Sequence, residues 1–114
     1  MSAKTKLIQF ISLPVFDRMA EGLLGDNDIR HIQQTLLETP DAGAVIRRAE
    51  GLRKLRISVP GRGKRGGARL IYLYIQLRSV IYFVAVFSKT EQADLTVADY
   101  RVLGELARSL KEEE

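Results

Sequence analysis

Residues 47–69 hold nine basic side chains and one acidic one, Glu50, so about a fifth of the chain carries +8 while the remainder carries −4. Inside that stretch the run Leu52-Arg-Lys-Leu-Arg56 reads as a strand, and a period of two places Leu55 and Ile57 on one face, Lys54 and Arg56 on the other. Arg69 opens the next β-prone run and joins Lys54 and Arg56 if the register allows; Lys89 follows the last such run. Several cations on a rigid sheet suit a phosphate. Arginine's planar fork binds phosphate bidentately and keeps its charge. Lysine crowded by other cations is expected to have its pKa lowered, which lets it move a proton near neutral pH. Strand cleavage of RNA needs no outside nucleophile, because the 2′-hydroxyl attacks its own phosphate once it is deprotonated, aligned and charge-neutralised. On chemistry alone, the same side chains could equally bind backbone phosphates or a partner's carboxylates without further reaction.

Other chemistries have little to work with. The one histidine, His31, falls on the polar side of a predicted helix between Ile29 and Ile32 and reads as a surface residue, which removes paired-histidine catalysis. There is no cysteine, and no His or carboxylate cluster has metal-ligand spacing, so neither a metal nor any other cofactor is expected. Gly61-Arg-Gly-Lys-Arg-Gly66 matches a dinucleotide fingerprint formally, but no helical pattern follows it, and the match reads as chance.

The elements that must position these residues follow from the apolar spacing. Residues 7–13 are β-prone and stop at Pro14, which can open a helix carrying Phe16, Met19, Ala20, Leu23 and Leu24 on one side. Gly25 ends that pattern, and Asp26 or Asp28 can cap a second helix whose stripe is Ile29, Ile32, Leu36 and Leu37, closing at Thr39-Pro40. Three strands are expected at 52–59, 68–77 and 80–87, the last two apolar on both faces and therefore central. The link at 60–67, with four glycines and three basic residues, is too long for a tight hairpin and reads as mobile. Thr96 followed by Asp99 marks the start of a last helix with Leu103, Leu106, Ala107 and Leu110 turned inward. The expected order is β-α-α-β-β-β-α: an α+β fold with a mostly antiparallel sheet packed against helices.

A chain of 114 residues supports one core, so residues 1–114 are expected to form a single domain, with 97–114 its C-terminal helix and tail. No apolar run approaches the roughly 18 residues of a membrane-spanning helix. Residues 7–15, broken by Gln9, Ser12 and Pro14, lack the pattern of a cleaved leader. Together with the absence of cysteine, this places the protein by expectation in the cytoplasm, away from membranes.

Four segments carry a resemblance to a known family: Pro40-Asp-Ala-Gly-Ala-Val-Ile46, Gly51-Leu-Arg-Lys-Leu-Arg56, Gly63-Lys-Arg-Gly-Gly-Ala-Arg-Leu-Ile-Tyr72, and Phe87-Ser-Lys-Thr-Glu91 with Asp94-Leu-Thr96. Their run resembles HigB-like toxins of the RelE superfamily of type II toxin-antitoxin systems. The resemblance implies a small microbial RNase fold, ribosome-dependent cleavage of mRNA, and a cognate helix-turn-helix antitoxin of the HigA kind. By position it implies catalytic roles for Lys54, Arg56, Arg69 and Lys89. Arg53, Lys64, Arg65 and Glu91 are expected to contact RNA. The chain departs from the family pattern at Thr90, where several relatives have arginine, and at Thr96, where they have tyrosine. Base stacking and proton transfer then fall to Glu91, Lys64 or Arg65. An RNA- or ribosome-binding module without cleavage is the alternative reading.

Overall fold

The computed structural model describes residues 7–59 and 67–113. Five strands form one sheet in the order β1-β5-β4-β3-β2: β1 Gln9–Ser12, β2 Ala44–Val45, β3 Arg53–Ile57, β4 Ala68–Ile75 and β5 Val80–Ser88. β2 to β5 pair antiparallel, and β1 lies parallel to β5 with Gln9 against Val80. Helices α1 Pro14–Ala20 and α2 Asp26–Glu38 cover one face of the sheet, and α3 Val97–Glu112 covers the other. This is the α+β arrangement expected, with the meander β3-β4-β5 at its centre. None of the described helices is long and apolar enough to cross a membrane.

Helix boundaries follow local chemistry. Pro14 begins α1, where its missing N–H leaves nothing unsatisfied. α2 starts after Gly25, whose N–H donates to the Asp28 carboxylate at 2.8 Å, and ends one residue before Thr39-Pro40. α3 opens on a reciprocal cap: the Asp99 N–H donates to the Thr96 hydroxyl and the Thr96 N–H to the Asp99 carboxylate, both at 3.0 Å.

Alternation sorts the central strands into two apolar faces. Leu70 and Tyr72 of β4 with Ile81 and Phe83 of β5 meet Phe16, Ile32 and Leu36; Ile71 and Leu73 with Tyr82 and Val84 meet Leu103, Ala107 and Leu110. A bulge in β5 interrupts the period, because Ile71 pairs with Ala85 while Tyr72 pairs with Phe83. Val84 and Ala85 therefore both face α3, and Phe87 beyond them does too.

Two expectations are corrected. The strand predicted over 68–77 leaves the ladder after Ile75, and Gln76–Arg78 form a 3-10 turn with Leu77 fully exposed. Ser79 takes a left-handed conformation there (φ 52°), and the Arg78 guanidinium donates to the carbonyls of Leu110 and Lys111 at the end of α3. Both demands pull the chain out of the sheet. The short edge strand β2 was not expected, since its two exposed residues carry no alternation. The link at 60–67, expected to be mobile, and the fingerprint match within it lie outside the described residues but for Gly67.

Candidate functional site

The register of β3 on β4 sets Arg56 directly opposite Arg69 and Lys54 opposite Ile71. Three cations thereby share the sheet face that α3 packs on, at the end that α3 leaves open. Side chains directly opposite on neighbouring strands stand about 5 Å apart at Cβ, so the two arginines leave the sheet as cross-strand neighbours on one face. Among the described residues no carboxylate pairs with either one; Arg69 makes a 3.4 Å contact to the carbonyl of Ala68 and Arg56 is exposed.

Lys54 is held differently. Its ammonium donates to both Asp94 oxygens at 3.1 Å and to the Tyr100 hydroxyl at 3.0 Å, and Tyr100 in turn donates to Asp94. The ammonium lies 5.3 Å from the Tyr100 ring centroid. Burial pulls the Lys54 pKa down, but the hydrogen bonds to Tyr100 and Asp94 outweigh it and set it above the ordinary lysine value. The expected downward shift from crowding cations is thus reversed, since the nearest charge to Lys54 is a carboxylate. Burial likewise pushes Asp94 up, yet donors from Tyr100, the Leu95 N–H and Lys54 hold it below the usual carboxylate range. Burial first, and then the bond to Asp94, raise the Tyr100 phenol. Lys54 is a fixed cation and hydrogen-bond donor here, and Asp94 a fixed anion.

Tyr100 and Asp94 are the site residues to which sequence reasoning gave no role. Thr96, at the position where the family pattern suggested a tyrosine, is the cap of α3, and Thr90 is tied to Ser88 through a 2.8 Å hydroxyl contact. The phenol enters one helical turn later. The signal was present, because Tyr100, Leu103, Ala107 and Leu110 form one i, i+3, i+7, i+10 stripe, and a tyrosine at its head faces the sheet.

The other expected site residues are dispersed. Lys89 is exposed just past β5, its backbone N–H donating to Gly67 at 3.1 Å, two residues along from Phe87, the partner of Arg69. Glu91 lines a separate cleft with Met19, Leu23 and Ser88 near the end of α1. Arg53 pairs with Tyr72, on the opposite sheet face from Lys54, and one guanidinium nitrogen donates to the carbonyls of Asp41 and Gly43 at 3.2 and 2.7 Å. It works there with Tyr72, whose buried hydroxyl donates to Pro40 and accepts from the Gly43 N–H, to hold the strand β2 in place. Lys64 and Arg65 lie outside the described residues.

Fold and site together define a small α+β protein with an arginine-bearing sheet face bordered by a lysine-carboxylate-phenol cluster. Residues 16–114 match the family described as RelE toxin of the RelE/RelB toxin-antitoxin system, and the chain belongs to that family. Two solved structures are similar at low identity. One is of an E. coli toxin RelE mutant in the free state: 18% identity, 75% of this chain and 87% of that one covered, TM-score 0.49. The other is of the isolated E. coli RelE toxin: 16% identity, 88% and 99% covered, TM-score 0.47.

Proposed function

We propose that this protein inhibits translation as a metal-independent, ribosome-dependent mRNA endoribonuclease, and that a cognate antitoxin neutralises it. The observation that carries the reading is the Arg56–Arg69 pair, two arginines directly opposite on neighbouring strands with no carboxylate partner among the described residues. Such a pair is destabilising unless an anion comes to it. A phosphodiester is the anion that planar forks bind bidentately. In the proposed reaction the 2′-oxygen forms a bond to phosphorus as the bond to the 5′-oxygen breaks. The 2′-hydroxyl gives up its proton and the departing 5′-oxygen gains one. Arg56 and Arg69 neutralise the charge that accumulates on the phosphoryl oxygens, and Lys54, kept protonated by Asp94 and Tyr100, adds a third donor at its edge. Lys89, exposed two residues past the cross-strand partner of Arg69, is not placed in this group of donors.

With no histidine in this arrangement, most of the acceleration has to come from positioning, which a flexible strand in solution lacks and a ribosome supplies. Membership in the toxin family supports an antitoxin partner. The motif run of the HigB-like kind supports a helix-turn-helix protein in that role, and a cytoplasmic site of action follows from a ribosomal target.

The test is induced expression followed by mapping of transcript ends, in parallel with Arg69→Ala. Growth arrest with new cleavage ends, both abolished in a well-expressed Arg69→Ala variant, is the expected outcome. Arrest with intact transcripts would leave binding without cleavage as the function. Equal cutting of a short mRNA with and without programmed ribosomes would remove the ribosome dependence.

A further inference from the structure

We propose that Arg47, Arg48 and Arg101 form a second anion-binding track, which holds the sugar-phosphate backbone of single-stranded RNA next to the nucleotide engaged by the Lys54 cluster. The proposal rests on the reading of that cluster as an RNA-cleaving site and extends it. A groove of about 530 Å³ runs between the loop before β3 and the N-terminal half of α3, and these three arginines line it together with Val97, Tyr100 and Glu105.

Charge accounting distinguishes the three from their neighbours. Glu50, also in the groove, is shared by Lys111 at 3.2 Å and Arg108 at 3.6 Å, so each of those cations has a carboxylate partner. Arg47, Arg48 and Arg101 are exposed and have no ion-pair partner among the described residues, and Glu105 is the one lining carboxylate left without one. A surplus of positive charge therefore stays available to a ligand.

The loop that supplies two of these arginines holds residues other than glycine in left-handed backbone. Arg48 and Glu50 both have φ of 60°, and Gly51 follows at 93°. Left-handed backbone is unfavourable for a residue other than glycine. Burial of Ala49 and Leu52 on the face that α3 covers, with the Leu52 N–H bonded to the Ala49 carbonyl, holds the turn. Its outcome is that Arg47 and Arg48 stand exposed beside the helix while their neighbours are plugged into the core. Backbone strain of this kind clusters at active sites and ligand clamps.

Continuity comes from Tyr100. Its hydroxyl binds Lys54 and Asp94, and the residue also lines the groove, so a strand leaving the cluster meets the arginines before it meets open solvent. An RNA backbone fits better than a peptide, because Val97 is the one large aliphatic side chain exposed along the groove, too little to anchor an amphipathic helix. A phenol ring beside a row of guanidinium groups is also the usual make-up of a single-strand channel.

Fluorescence anisotropy with a short labelled single-stranded RNA, titrated with the whole protein across a range of salt, tests this. Removing one cation that neutralises a phosphate flattens the slope of log K against log salt by roughly 0.7 on single strands. The combined variant R47Q/R48N/R101Q should therefore flatten the slope by about 2 and bind at least tenfold more weakly at low salt, and R101Q alone should flatten it by roughly 0.7. Asparagine is chosen at position 48 because it tolerates left-handed backbone; thermal melting confirms that both variants fold. An unchanged slope in both overturns the track. So does an unchanged slope with abolished antitoxin binding, which would make the groove a protein-docking surface. Transcript mapping stays a separate readout: wild-type protein that binds through the groove but cuts nothing would refute the cleavage reading and uphold the track.

Discussion

Arg56 and Arg69 repel each other across a ladder that any pair of neutral side chains would stabilise better. Arg56→Gln is accordingly expected to leave the melting temperature unchanged or raise it, by the equivalent of about 0.2–1 kcal/mol, while cleavage drops. Arg69→Ala should lower cleavage about 10²- to 10³-fold, the usual effect of removing one donor to a developing charge, with unaltered circular dichroism. A second residue-scale expectation concerns pH. The folded pKa of Asp94 lies below its unfolded value, so its stabilisation is complete above about 3.9 and disappears as the pH falls through the folded value. Lys54 has the opposite sign, and its part is lost only at pH above about 10.4. Between these limits wild type should melt above Asp94→Asn by a constant margin. Melting curves from neutral pH down through the carboxylate range should show that margin closing on the acid side, and a margin independent of pH would mean that the Lys54–Asp94 pair contributes nothing. Lys54, Arg56 and Arg69 could be read from alternation because their grouping depends on a single register. The bond from Lys54 to Tyr100 could not, since it joins residues from two elements whose docking only the packed core decides.

At the scale of elements, α3 is pinned at both ends. Tyr100 and Asp94 fasten its start to β3 through Lys54, and Arg78 caps its last carbonyls, where a cation also complements the helix dipole. Thr96→Ala removes one arm of the cap and should destabilise the protein by about 0.5–2 kcal/mol, measurable by urea denaturation. Because Tyr100 sits in that first turn, cleavage should fall beyond the loss of folded protein; a fall equal to the unfolded fraction would show that the cap does not position the phenol. On the opposite sheet face, Tyr72→Phe strands the Gly43 N–H and the Pro40 carbonyl, both bonded to its buried hydroxyl, and should lose about 1–3 kcal/mol. Gly43 has no room for a side chain either, since a Cβ there would meet the Tyr72 ring at 2.9 Å. Helix starts, helix ends and the central strands were legible because capping residues, prolines and alternation act locally. β2 and the end of β4 were not, as the first depends on the Tyr72 and Arg53 bonds from another strand and the second on the reach of Arg78 to α3.

For the molecule as a whole, the described cations of the +8 segment do not form one patch. The fold sends Arg53 to the face of α1 and α2, Lys54, Arg56 and Arg69 to the face of α3, and Arg47 and Arg48 to the groove beside it. The net charge is +4, so an acidic antitoxin segment should arrive quickly and with marked salt dependence, while apolar contacts would keep its departure slow. Stopped-flow association at two salt concentrations checks this, and an on-rate indifferent to salt would leave an apolar interface as the basis of recognition.

The parallel pairing of β1 with β5 also orders events in time. β1 leaves the ribosome first, but its partner begins only at Val80, after both early helices and three strands have been made. Closing so long a loop is entropically unfavourable until the central meander exists to reward it, so the amino-terminal strand docks late. Phe10 and Phe16 wait for Phe83, and Lys54 waits longer still for Tyr100. The surface that Lys54 and Tyr100 complete is thus assembled only once β5 and α3 have both joined the sheet, well after β3 itself has been made.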